Sequence, residues 1–208
     1  MAATSTSPAL TLRERKRQRT RAALVAAATE LFERDGYEET TVAKIAAAAD
    51  IGTRTFFGYF ASKEELLFPR ADDRVAAALE AIRTRRPGER PVDVLVGGLR
   101  TLPSAASDDL TGRLALLRLR LIRSVPAVAG RAFARQYAAQ REIAAALQEA
   151  YPDELDEASA AAVAGAFTGA VASALDVLFG DGEAPPPPDG VRTALIDAVA
   201  RALGALER

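Results

Sequence analysis

Apolar positions recur at intervals of three and four along most of the chain, the spacing of amphipathic helices. Ala23, Ala27 and Leu31, with Leu24, Ala28 and Phe32 beside them, predict a first helix over about 13–34, which Asp35-Gly36 stops. Two very short helical segments follow at 41–49 and 53–60, separated by Asp50-Ile51-Gly52. Ser62, with Glu65 three residues on, has the pattern of a capping box and opens a helix running to about 86, with Pro69 near its start. Pro91 stands in the first turn of the next helix. Further helices are expected at about 109–124, 126–151, 153–179 and 190–206, with breaks at Pro126, Pro152 and the proline run 185–188. No strand-like alternation and no internal repeat stand out. The expected fold is all-α, with about nine helices.

Composition agrees with that pattern. Of 208 residues, 47 are Ala, the residue of highest helix propensity. Apolar residues make up 49% and charged residues 26%, the balance of an ordinary globular chain. The absence of Cys and His excludes a disulfide framework, a thiol nucleophile, a Ser-His-Asp triad and the usual zinc ligands. No clustered carboxylate motif replaces them, so neither an enzyme nor a metal or cofactor site is expected. A net charge of −1 conceals an uneven distribution: residues 10–21 hold six Lys or Arg against one Glu. A basic front on a mildly acidic body points to a polyanion met at one end.

The small, polar residues 1–11 read as a disordered lead without the apolar core of a signal peptide. Residues 158–179 are nearly apolar, interrupted by Ser159, Thr168, Ser173 and Asp176. Built on Ala and Gly with an Asp inside, this stretch reads as buried in protein rather than in a bilayer. A cytoplasmic protein without membrane contact is expected.

Two short helices joined by a three-residue turn form a helix-turn-helix over 41–60. Leu31, Phe32, Tyr37, Val42, Ile45, Ile51, Phe56 and Phe60 are spaced to give it a core. Thr53, Arg54, Phe57 and Gly58 then face outward, with Tyr59 near the end. The first turn of a recognition helix reads base edges. Arg in that turn can pair bidentately with guanine, and a Thr methyl can contact thymine.

The run Leu31-Phe32-x-x-x-Gly36-Tyr37-x-x-Thr40-Thr41-Val42-x-x-Ile45-Ala46, followed by Ile51-x-x-x-Thr55-Phe56-Phe57-x-Tyr59-Phe60-x-Ser62-Lys63-Glu64-x-Leu66, resembles the DNA-binding domain of the tetracycline-repressor (TetR) family. The likeness covers about 18–78; its Arg-Thr-Phe-Phe-x-Tyr-Phe-x-Ser-Lys variant is similar to actinobacterial members, including mycofactocin-system regulators. The resemblance implies a DNA-binding domain at 12–62 and a ligand-binding and dimerisation domain at 63–208. It makes Thr53, Arg54 and Thr55 the readers at the recognition helix, with Phe57 beside them. It also implies phosphate contacts from Tyr59 and Lys63, and a DNA-facing surface that includes Arg17, Thr41 and Lys44. Phe57 stands where the family often has Tyr, Gly52 replaces a common Ser cap, and Asp50 replaces the usual turn Gly.

In the body, Leu114, Leu117, Arg118 and Leu121 share a helical face. An Arg in such a stripe either snorkels outward or meets an anionic ligand. Phe133, Tyr137 and Gln140 share a face on the next helix, as core or as pocket lining. The resemblance implies a pocket among these helices. It also implies that the last two helices pair with those of a second copy, for which Gly165, Gly169, Val191, Leu195 and Val199 are the candidates. The expected function is a homodimeric regulator, released as a repressor from a palindromic operator on double-stranded DNA by a small lipophilic effector. The rival is a constitutive DNA binder or an activator without an inducer.

Overall fold

The computed structural model describes residues 11–102, 109–110, 112–180 and 188–205, and the secondary structure among them is helical. The chain divides into two units, residues 1–66 and 67–208, four residues beyond the expected boundary after 62.

In the first unit, α1 (Leu12–Asp35) opens on a complete capping box. The Thr11 hydroxyl accepts from the Glu14 N–H at 3.2 Å, and the Glu14 carboxylate accepts from the Thr11 N–H at 2.8 Å. Thr11 is therefore ordered into the helix start rather than part of a disordered lead; residues 1–10 lie outside the described residues. At the far end, Gly36 turns the chain with φ +87°, a conformation that favours glycine. Buried Thr40 donates to the carbonyls of Gly36 at 2.7 Å and Leu31 at 3.2 Å, fixing the exit from α1.

Helix α2 (Val42–Ala48) is capped by Thr41, whose hydroxyl accepts from the Lys44 N–H at 3.2 Å. The reversal after α2 falls on Asp50, at φ +55°, which an Asp tolerates better than most residues. Helix α3 (Thr53–Phe56) is shorter than the expected 53–60. Its continuation tightens into three-residue bonds, from the Gly58 N–H to the Thr55 carbonyl and the Tyr59 N–H to the Phe56 carbonyl, around a poor helix former at Gly58. Leu31, Phe32, Tyr37, Ile45, Phe56 and Phe60 are buried as expected, while Val42 and Ile51 are half-buried.

The single helix expected from Ser62 to about 86 is two pieces, a 3-10 turn (Glu64–Leu67) and α4 (Ala71–Arg83). Pro69 disfavours helical backbone at Phe68 and has no N–H to donate, so the ladder stops there. The second unit continues with α5 (Pro91–Arg100), α6 (Arg113–Ser124), α7 (Pro126–Ala150), α8 (Glu157–Phe179) and α9 (Pro188–Ala205). Asp109 and Leu110 are helical, but α6 starts afresh after Gly112, whose backbone is extended. Helix α8 begins four residues later than the expected 153, because Asp156 caps it by accepting from the Ser159 N–H at 2.7 Å.

Helix α8 packs against α5, α6, α7 and α9 and supplies Ala160, Ala164, Phe167, Leu175 and Phe179 to the core. By length and composition it could cross a membrane; here it is a packed helix whose Asp176 carboxylate is held by Arg123 at 2.8 Å. Val191, Leu195 and Val199, expected at a dimer interface, are buried in their own chain's core, because α9 lays that face on α5 and α8. Gly98 lets α5 approach α4 closely: a Cβ there would lie 3.1 Å from the Cβ of Ala81 and 3.4 Å from the Ala77 carbonyl.

Candidate functional site

Thr53, Arg54 and Thr55 are exposed on the only turn of α3, immediately after the Asp50–Gly52 reversal. Phe56 and Phe60 point the other way into the core, which fixes the outward direction of their neighbours. Phe57 is 55% exposed and meets Phe56 edge to face at a centroid distance of 5.4 Å. Its ring is carried at the surface by the ring beneath it. No hydroxyl extends from it, so an apolar contact such as a thymine methyl is what it can offer.

The basic start of α1 reaches the same place. Arg21 donates to the Tyr59 carbonyl at 3.1 Å and lies 4.3 Å from the Phe60 ring centroid. The Arg17 guanidinium is 6.0 Å from the Tyr59 ring. Arg17 and Tyr59 are thus brought together, and Arg21, which the sequence marked only as one of a basic run, is the residue that joins α1 to the end of the recognition helix. Lys44 donates to the Glu39 carbonyl at 2.8 Å, and Thr41 serves as a cap.

Lys63 has a second engagement besides any with DNA. Its ammonium donates to the carbonyls of Tyr37 at 2.8 Å and Thr40 at 3.2 Å and lies 4.0 Å from the Tyr37 ring centroid. Two of its three protons are thereby used inside the unit. The Tyr37 hydroxyl donates to the Glu64 carboxylate. Burial, reinforced by the Glu64 bond and charge, raises the Tyr37 phenol above its ordinary range. For Glu64, burial works toward a higher pKa but is outweighed: hydrogen bonds from Ser62 and Tyr37 and the charge of Lys63 hold the carboxyl below its ordinary value.

The second unit contains a cavity of about 640 Å³ walled by α4 to α8. Of the expected lining, Arg118 and Phe133 are present, and Phe133 sits at the open side, 71% exposed. Leu114, Leu117, Leu121, Tyr137 and Gln140 are not in the wall. Leu117 is buried elsewhere, Tyr137 is exposed and stacks on Phe133, and Gln140 donates to the Thr168 hydroxyl at 2.7 Å. The face that α6 turns to the cavity is instead Arg118, Leu119 and Ile122, rotated by one residue from the expected stripe. Phe68, Arg74, Arg135 and Phe167 also line it, from elements whose meeting no local spacing encodes.

Arg118 neither snorkels nor stands open. It donates to the carbonyls of Leu67 at 2.9 Å and Asp109 at 2.7 Å, and faces the Asp109 carboxylate at 3.4 Å. Arg74 takes the same carboxylate. Burial lowers the Arg118 pKa; Asp109 opposes that and Arg74 adds to it. Among the described residues no group of three or more Asp or Glu could hold a metal ion.

Residues 24–68 match the family model of the bacterial regulatory proteins of the tetR family. A curated relative, the HTH-type transcriptional regulator TcmR of Streptomyces glaucescens, is 39% identical over 119 residues, which are 55% of this chain and 53% of that protein. The match thus spans about half the length of that relative. Three solved structures share the fold. They are Thermus thermophilus FadR, a TetR-family repressor in complex with lauroyl-CoA (23% identity, 89% of this chain and 92% of that one, TM-score 0.53), a TetR-family regulator of Mesorhizobium loti (16%, 91% and 98%, 0.56), and Salmonella enterica GusR (20%, 91% and 96%, 0.51). The narrower likeness to mycofactocin-system regulators gains no support from these relatives.

Proposed function

We propose that this chain, whose residues 24–68 match the TetR family of bacterial regulatory proteins, is a homodimeric, ligand-responsive transcriptional repressor acting on cytoplasmic DNA. The observation that carries the reading is the exposed Thr53-Arg54-Thr55 turn, held outward by buried Phe56 and flanked by the basic start of α1. In this reading Arg54 pairs with a guanine, the two Thr and Phe57 touch base edges and methyls, and Arg17, Lys44, Tyr59 and Lys63 meet phosphates. Thr41 positions α2 across the backbone.

Two recognition helices are needed to fill successive major grooves about 34–36 Å apart, so the active form is a dimer on a palindrome. The apolar, outward side of the first half of α8 suits the pairing: Ala161 and Ala162 are exposed, and a Cβ at Gly165 or Gly169 would meet nothing within 4 Å. Val191, Leu195 and Val199 take no part in it. The cavity of the second unit favours ligand control over constitutive binding. Its occupant shifts the equilibrium toward the DNA-incompetent state by binding that state more tightly.

Selection of bound duplexes from a random DNA pool tests the reading. The expected result is an enriched palindrome with half-sites about one helical turn apart. A pool that stays random, with uniform salt-sensitive affinity, would overturn it.

A further inference from the structure

We propose that the cavity takes a flat aromatic ring system with an oxygen at its edge, the ring laid on Phe133 and the oxygen bonded to the Gln136 amide. The proposal rests on the ligand-responsive reading above and names the class of its ligand.

The face that α7 turns to the cavity is Ala129, Ala132, Phe133 and Gln136, spaced by three and four along the helix. The two alanines are short, so one ring and one amide are what this helix offers a guest. Phe133 stands at the open side, 71% exposed, and Val177 of α8, 79% exposed, belongs to the same wall. Tyr137, outside the wall, stacks on Phe133 with centroids 6.4 Å apart and planes only 12° from parallel. The plane of Phe133 is thus set by the ring behind it, and an apolar face is left to water at the edge of an apolar cavity.

A guest that covers this face recovers its burial. A rigid ring system does more: it extends the stack of Tyr137 and Phe133 in the offset parallel geometry that aromatic pairs prefer, and it has little freedom to lose. A flexible chain offers no face and must be immobilised bond by bond. The cavity, at about 640 Å³, lies within the range that holds compounds of several rings. Gln136, three residues after Phe133 on the same face, brings an amide that both donates and accepts, which suits a hydroxyl or a carbonyl on the ring edge. The charged side chains of the wall are engaged within the protein, Arg74 and Arg118 with Asp109, Arg135 with Asp72 and Asp176 with Arg123, so the recognition assigned here is neutral. A small guest, rather than a second copy of the chain, is the occupant because Phe133 is continuous with the cavity wall, whereas the pairing face assigned above lies on the first half of α8.

The test compares three probes of one skeleton: 9-phenanthrol, phenanthrene and the fully hydrogenated alcohol perhydro-9-phenanthrol. Binding to the full-length protein is measured by equilibrium dialysis at pH 7, and release of its selected DNA is measured separately. Burial of apolar area alone would favour phenanthrene over its alcohol, and the bulkier saturated alcohol over the flat one. The expected order is the reverse, with 9-phenanthrol at least about threefold tighter than either. F133L should abolish the preference over the saturated alcohol, and F133Y should keep it. Q136L should abolish the preference over phenanthrene and leave the other intact. Wild-type protein that binds either control as tightly as 9-phenanthrol, or binds none of the three, overturns the proposal without recourse to a variant. So does F133L that lowers the light-scattering mass and leaves the probe ratios unchanged, since a second copy would then be what covers the ring. Ring preference in a protein without specific DNA binding would sink the regulator reading instead, and specific DNA binding without ring preference would sink only this one.

Discussion

The guanidinium of Arg118, 5% exposed, donates to the carbonyl of Leu67, the residue at which the second unit begins. A side chain in the cavity wall thus holds the backbone at the start of the segment that Pro69 separates from α4. Removing it strips Asp109 of one partner while Arg74 remains. R118M should therefore destabilise the protein by about 3 kcal/mol, the low end for a broken buried ion pair. The double variant D109L/R118M should recover part of that loss, since an apolar replacement of the whole pair is often tolerated. Urea unfolding of both variants checks this, and equal stability of R118M and wild type would mean the network contributes nothing.

Arg54 and Arg17 should fail in different ways. R54A is expected to cost about 1–3 kcal/mol on the selected DNA sequence and to relax discrimination at one position of each half-site. R17A should weaken all sequences alike and reduce the slope of log affinity against log salt by about one. Competition binding at two or more salt concentrations separates the two.

A Cβ at Gly169 would meet nothing within 4 Å in its own chain, so a side chain begun there points at what packs against α8 from outside. G169L should leave the unfolding of the isolated chain near wild type, yet shift light-scattering mass from dimer to monomer at low micromolar concentration. DNA affinity should fall with it. A variant that remains dimeric would move the interface off this face of α8.

The Tyr37–Glu64 pair gives the first unit an acid-sensitive element. The Glu64 carboxyl is held below its ordinary pKa, so its contribution to stability is present above about pH 4.5 and is lost as pH falls through the depressed folded value. Y37F removes one donor to the carboxylate. It should lower stability at neutral pH and flatten the dependence on pH between about 4.5 and 3. Thermal melts across that range follow the effect.

How far the sequence could be read follows from how local each signal is. Helix periodicity, the caps at Thr41 and the Gly36 stop are written in neighbouring residues, and the recognition turn is enclosed within eight of them. The helix break at Phe68-Pro69 was also legible in principle, since the proline restricts the residue before it. The cavity was not. Arg118, Leu119 and Ile122 form its α6 face only because that helix is rotated by one residue against α7 and α8, a matter of packing between distant segments. Val191, Leu195 and Val199 show the same limit: an apolar stripe states that it is buried, not against which chain. The fate of Arg118 turned on Asp109, a partner that the helical spacing of its own stripe does not supply.

Gly98 has one more consequence. The space that a Cβ at Gly98 would need is already taken by Ala77, Ala78 and Ala81, 3.1–3.6 Å away, and a close-packed seam of this kind resists opening. The same two helices carry Val75, Ala78, Leu95 and Leu99 into the cavity wall. A guest pressing on any of these four therefore bears directly on the seam that the missing side chain at Gly98 keeps closed.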